Sequence, residues 1–122
     1  MPHERQLFGA EGERAAEQFL RQQRYVILER NYRCPRGEID LVALDGRTVV
    51  FVEVKTRRGL SIAAPFEAVD RRKQRRIARA AQYFVARHRL EERVARFDVV
   101  GVWHDGERTH CELLKGAFEL DP

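Results

Sequence analysis

Alternating helical and strand periodicities along this chain of 122 residues predict an α/β fold of three layers, with a mixed central β-sheet flanked by helices. Three observations carry that expectation. A helical apolar repeat precedes a strand and a tight hairpin, a long amphipathic segment follows, and a returning strand comes after it.

From about Glu4 to Gln23, Phe8, Ala15, Ala16, Phe19 and Leu20 recur at helical spacing and give a first amphipathic helix. Tyr25 to Tyr32 reads as a strand in which Tyr25 and Ile27 alternate with Val26 and Leu28, so both faces can be covered by helices. Arg33 to Arg36, with Pro35, turns the chain into the segment from Gly37 to Arg57. There, two apolar runs flank Asp45-Gly46, a strong signal for a two-residue hairpin loop. Counting outward, Leu44 faces Arg47, Val42 faces Val49, Asp40 faces Phe51 and Glu38 faces Glu53. Asp40 and Glu53 then become diagonal neighbours, Lys55 shares the face of Glu53, and Ile39, Leu41, Val50, Val52 and Val54 take the other. This register, or one shifted by two, keeps the charged residues on one face.

Thr56 to Ala64, with Gly59 and Ser61, lacks periodicity and reads as a loop beside the charged strand. Pro65 suits a first helical position, and Asp70 an N-cap for a long helix to about Arg89 with Ile77, Ala81, Phe84 and Val85 inward. Arg96 to Trp103 and Arg108 to Leu114 are strands joined by a turn from His104 to Glu107, and Asp98 reads as a structural acid near Arg96.

Asp40, Glu53 and Lys55 interrupt strands whose neighbours are apolar. Imperfectly satisfied buried polar groups cost about 1–3 kcal/mol, so a partner is expected, and a divalent metal with a phosphate would serve all three. Carboxylates are hard ligands for Mg²⁺, for which Mn²⁺ can substitute, and a nearby lysine supplies a point charge to phosphate or to attacking water. Asp40 and Glu53 are thus candidate metal ligands and Lys55 the candidate catalytic cation, with the Val54 carbonyl as a further donor. An isolated E-x-K is usually a solvated face with a cross-strand ion pair. What favours chemistry here is that the neighbouring positions on that face, Val49 and Phe51, are apolar.

Net charge is +4 and pI about 9.5, and only three of the 23 basic residues are lysines. The densest basic run comprises Arg71, Arg72, Lys73, Arg75, Arg76 and Arg79, with Arg57 and Arg58 just beyond the charged strand. Such a run is often just a solvated helix face, but beside a metal-site candidate it reads as a phosphate-tracking surface. Arg57, Arg58, Arg72, Lys73 and Arg76 are the candidate nucleic-acid contacts. Glu13 lies at the edge of the buried stripe of the first helix, with Gly9 and Gly12 leaving room for close approach; on spacing alone it reads as a glutamate paired with an arginine.

Glu13, the segment Gly37 to Ala43, the segment Val50 to Arg57, the segment Pro65 to Arg76 and the segment Arg96 to Val100, in this order, resemble the YraN family of small bacterial proteins. That family is similar to archaeal Holliday-junction resolvases and to the wider restriction-endonuclease-like nucleases of the PD-(D/E)xK type. The resemblance implies a restriction-endonuclease-like core over residues 1–122 as one domain. It also implies Mg²⁺-dependent cleavage of DNA, branched or otherwise structured, by a homodimer. Glu13 joins Asp40 and Glu53 as an acidic metal-site residue on the same ground, with Lys55 as the catalytic lysine. One departure is visible: Ile62-Ala63-Ala64 replaces the glycine often found just before the proline near position 65.

Cys34 and Cys111 have neither C-x-x-C spacing nor enough company for a disulfide framework, and no run reaches the apolar length of a membrane span. With no apolar signal core at the N-terminus, a cytoplasmic protein is expected. His3, His88, His104 and His110 are scattered, and no nucleophile set, glycine-rich phosphate loop or repeat is present, which disfavours covalent catalysis and P-loop chemistry. Two classes remain: a metal-dependent endonuclease, or a catalytically inactive nucleic-acid-binding module.

Overall fold

The computed structural model describes residues 4–58 and 70–118, with the backbone alone described at 4–9 and 57–58. Helix α1 (Glu4–Gln22) is followed by strands β1 (Val26–Cys34), β2 (Gly37–Asp45) and β3 (Thr48–Arg58), then helix α2 (Arg71–Arg87) and strands β4 (Ala95–His104) and β5 (Thr109–Phe118). The five strands lie in sequence order in one sheet. All neighbours are antiparallel except β3 and β4, which run parallel. A parallel pair needs a crossover, and α2 lies in that connection. The mixed α/β sheet expected from sequence is therefore present.

One helix covers each face. Ala16 and Leu20 of α1 pack with Tyr25, Leu41, Ala43, Val50, Val52, Val100 and Val102. On the other face, Ile77, Ala80, Ala81 and Phe84 of α2 pack with Ile39, Val42, Val49, Phe51 and Phe97. The central strands are buried on both sides, which is why they read as near-continuous apolar runs. Helix α2 starts where expected: the Asp70 carboxylate accepts the Lys73 amide N–H at 2.9 Å.

Three expectations are corrected. The hairpin loop is Gly46-Arg47, closed by the pair Asp45 and Thr48, one residue later than Asp45-Gly46. Gly46 takes φ 62° at the first loop position, as a type II′ turn requires, while Asp45 is kept in the strand by its bond to Arg96. Secondly, Ile39 packs on the α2 face, whereas Leu41 packs on the α1 face. Alternation breaks at Asp40: the ladder to β1 passes from Arg30 and Leu41 to Tyr32 and Ile39, while Asn31 sits at φ 49°. Thirdly, β3 does not stop before Thr56; it continues through Arg58 because Val102, Trp103 and His104 of β4 pair with it. The rest of the expected loop, and Pro65, lie outside the described residues.

Asp98 is fully buried and bonded as a structural acid. It accepts hydrogen bonds from the Arg96 guanidinium at 2.8 and 3.0 Å, from the Tyr25 hydroxyl at 2.8 Å and from the Gly116 amide at 3.0 Å. Cys34 and Cys111 are free thiols.

Candidate active site

The hairpin register decides which charged residues meet. Leu41 pairs with Val52 and Leu44 with Val49, a shift of two from the register counted out above. The ladder ends at Leu41 and Val52, and just beyond it Asp40 turns its carboxylate to the Val54 amide N–H, near enough to Glu53 for the two charges to act on each other. Glu38, expected opposite Glu53, is instead exposed and lies 3.6 Å from Arg33. A shift of two keeps Glu53 and Lys55 on the face of Val49 and Phe51, and Asp40 reaches them from the break in β2.

Asp40 sits at the break in alternation. Its Oδ2 accepts the Val54 amide N–H at 2.8 Å, which ties β2 to β3 just beyond their last ladder pair, Leu41 and Val52. Burial, then the charge of Glu53, and more weakly that of Glu13, push its carboxyl up to about 7 against the opposing effect of the Val54 N–H. Glu53 is only 6% exposed. Lys55 Nζ lies 3.8 Å from Glu53 Oε1, and burial, followed by the neighbouring Lys73, holds the Lys55 ammonium below the ordinary lysine range.

Glu13 approaches from α1. It is half-buried and helps line a cavity of about 190 Å³ with Arg14, Arg30, Asn31 and Asp40. The preceding glycine explains how the helix comes so near: a Cβ on Gly12 would meet Thr56 Oγ1 at 2.5 Å. Only a residue without a side chain lets α1 lie against β3 at that depth.

The first turn of α2 supplies a fourth charged group. Lys73 Nζ pairs with Glu53 Oε1, the oxygen Lys55 also faces. Burial would lower the Lys73 ammonium, but the Glu53 carboxylate outweighs it and holds the group above its ordinary range. Arg72 and Arg76 are exposed on α2, and Arg57 and Arg58 end β3. Sequence reasoning put Lys73 among the phosphate contacts and missed its carboxylate. A signal was available: in a chain with only three lysines, two stand at this site among arginines.

Among the described residues no three His, Cys, Asp or Glu side chains close into a cation cage. The donor set suits Mg²⁺ nonetheless, because that ion takes one or two carboxylates and completes its shell with water and phosphate. Asp40 and Glu53 supply two hard carboxylates, one of them driven toward protonation by burial and by the other, which is the condition a dication relieves.

A mixed five-stranded sheet with one helix on each face defines an α/β protein consistent with a restriction-endonuclease-like core. The sequence model of UPF0102, described as an uncharacterised protein family, matches residues 12–102, and the chain belongs to that family. A UPF0102 protein of Syntrophotalea carbinolica is 47% identical over 121 residues, covering 99% of this chain and 98% of the relative. One from Moorella thermoacetica is 48% identical over 112 residues, covering 90% and 93%. Another, from Caldicellulosiruptor saccharolyticus, is 46% identical over 112 residues, covering 90% and 95%. Among the described residues no helix is long and apolar enough to cross a membrane.

Proposed function

We propose that this protein is a metal-dependent endonuclease that hydrolyses phosphodiester bonds in DNA, with branched or structured DNA as substrate and a homodimer as the working form. The observation that carries this reading is the closeness of Asp40, Glu53 and Lys55 where the β2–β3 ladder ends, with burial and the Glu53 charge pushing Asp40 up to about 7. A strongly perturbed carboxyl beside a second acid and a lysine is a mark of chemistry more than of stability.

In this reading Asp40 and Glu53 hold Mg²⁺, with Glu13 adding negative charge from α1. Bound there, the ion would neutralise charge on the phosphate and acidify water. Asp40 is held in place by the Val54 N–H, so its carboxylate needs no reorganisation. Lys55 stabilises the charge that grows on phosphate as water adds to phosphorus and one P–O ester bond breaks, leaving a phosphate end and a hydroxyl end. The DNA backbone runs across Arg57, Arg58, Arg72 and Arg76. The positive end of α2 is already capped by the Asp70 carboxylate, and it is the exposed arginines of its first two turns that favour an anion there.

A second reading, a catalytically inactive nucleic-acid-binding module, is favoured by the ion pair between Glu53 and Lys73. Labelled duplex, single-stranded and four-way-junction DNA, incubated with Mg²⁺, Mn²⁺ or EDTA, separates the two. Cleavage that needs the dication and is lost in Glu53→Ala and Lys55→Ala, with binding retained, supports the nuclease. Salt-sensitive binding without cleavage of any substrate supports the module.

A further inference from the structure

The Lys73 ammonium occupies the same Glu53 oxygen that the nuclease reading assigns to a metal ion. Its backbone is fixed, because its amide N–H is held by the Asp70 carboxylate at 2.9 Å. Its side chain is not enclosed: 42% of it remains exposed, against 7% of the Glu53 side chain. A rigid anchor at the helix start, a four-carbon stem and a half-open head give a cation that can leave the carboxylate without any movement of α2.

Residue type points the same way. Every other basic residue from Arg71 to Arg79 is an arginine. An arginine would grip Glu53 through a planar fork with two parallel hydrogen bonds, whereas an ammonium is a compact point charge that exchanges partners readily. A permanent structural ion pair on this helix would be better served by arginine. Arg72 and Arg76 stand on the same exposed helix start, so an ammonium released from Glu53 is already among groups suited to phosphate.

We propose that Lys73 is a resident counter-ion that competes with a divalent cation for Glu53, and that cation binding transfers its ammonium to a phosphate of the bound nucleic acid. Filling the carboxylate site and capturing the strand are thereby coupled. The inference rests on the proposed metal site and adds regulation to it. Without the dication, Lys73 neutralises Glu53 and the pair stays quiet; with it, the dication and Lys73 compete for an oxygen that Lys55 also faces, and the more exposed Lys73 yields.

Calorimetric titration of Mn²⁺ into the full chain tests the first half. Lys73→Met keeps the stem and removes the charge, and is expected to tighten Mn²⁺ binding about tenfold, the scale of losing one adjacent unit charge at a partly hydrated site. Lys73→Arg is expected to weaken it, and in a Glu53→Gln background the Lys73→Met effect should vanish. Fluorescent duplex binding tests the second half, with Ca²⁺ against EDTA so that cleavage plays no part. Wild type is expected to bind DNA more tightly in Ca²⁺ than in EDTA, and Lys73→Met to show a clearly smaller ratio between the two conditions. Circular dichroism verifies the fold, and Lys73→Gln repeats the comparison should the Met variant be unstable. Equal Mn²⁺ affinity in wild type and Lys73→Met, or an unchanged Ca²⁺ gain, overturns the inference and leaves the metal site standing. No Mn²⁺ binding by wild type or by either neutral variant overturns the metal site and the inference together.

Discussion

Asp40 stands where a break in strand alternation, a backbone N–H donor and two neighbouring carboxylates coincide. In the folded chain its carboxyl ionises near pH 7, and once unfolded it returns to the ordinary aspartate value of 3.8. Between those values the folded state binds the extra proton, so Asp40 makes the ion-free protein lose stability as pH rises from about 4 to about 7. Thermal melts of wild type and Asp40→Asn in EDTA should coincide near pH 4 and diverge toward pH 7, with the variant more stable. Saturating Mg²⁺ should shrink the wild-type loss. Curves that stay parallel across the window would show that Asp40 carries no such burden. At this scale the sequence was informative for Asp40, Glu53 and Lys55, because a charge between apolar strand neighbours stands out. The rarity of lysine marked Lys73 itself, but not its partner, because a helix start covering a neighbouring strand is a long-range contact with no local pattern.

At the scale of elements, the depth at which α1 lies on β3 is set by Gly12 against Thr56. Gly12→Ala gains up to about 1 kcal/mol of helix propensity and loses about 1–3 kcal/mol by overpacking, so a net loss on the order of 1 kcal/mol is expected in urea unfolding. Thr56→Ala removes the two nearest atoms and should restore most of that loss in the double variant; additive losses would contradict the contact. The same glycine was legible in sequence as a place of close approach, although Thr56 as its partner was not. The hairpin was legible too, although its loop was placed one residue early, its register two residues off and Ile39 on the wrong face. Either placement gives Gly46 the positive φ it tolerates, and what chooses between them is the pull of Arg96 on Asp45, a contact between residues 51 positions apart. Local turn chemistry could not have revealed it.

Across the whole molecule, the strands are tied at the hairpin end by a polar network. Arg96 of β4 donates to Asp98 beside it and to Asp45 of β2, while Tyr25 and Gly116 of β5 donate to the same Asp98. Burial, with the bond to Asp98 next, raises the Tyr25 hydroxyl above its ordinary range, so it stays protonated and remains a donor at any physiological pH. Asp98→Ala should cost about 3 kcal/mol, the lower end for breaking a buried charged pair, because Arg96 is partly solvated and keeps Asp45. Denaturant unfolding measures it, and a loss below about 1 kcal/mol would mean the network contributes little. The three-layer plan and the mixed sheet were legible from periodicity alone, and Asp98 was legible as a structural acid from its place near Arg96. The convergence of Tyr25, Asp45 and Gly116 on that acid was not, since it joins parts of the chain that only the folded sheet brings together.

Hydrolysis at this site requires Asp40 of β2 and Glu53 of β3 to share one cation. Anomalous diffraction from crystals grown with Mn²⁺ tests this most directly. The expected result is a single strong peak within coordination distance of both carboxylates, absent in Asp40→Ala; saturating Mn²⁺ with no peak between them, or with Lys73 still seated on Glu53, would contradict it.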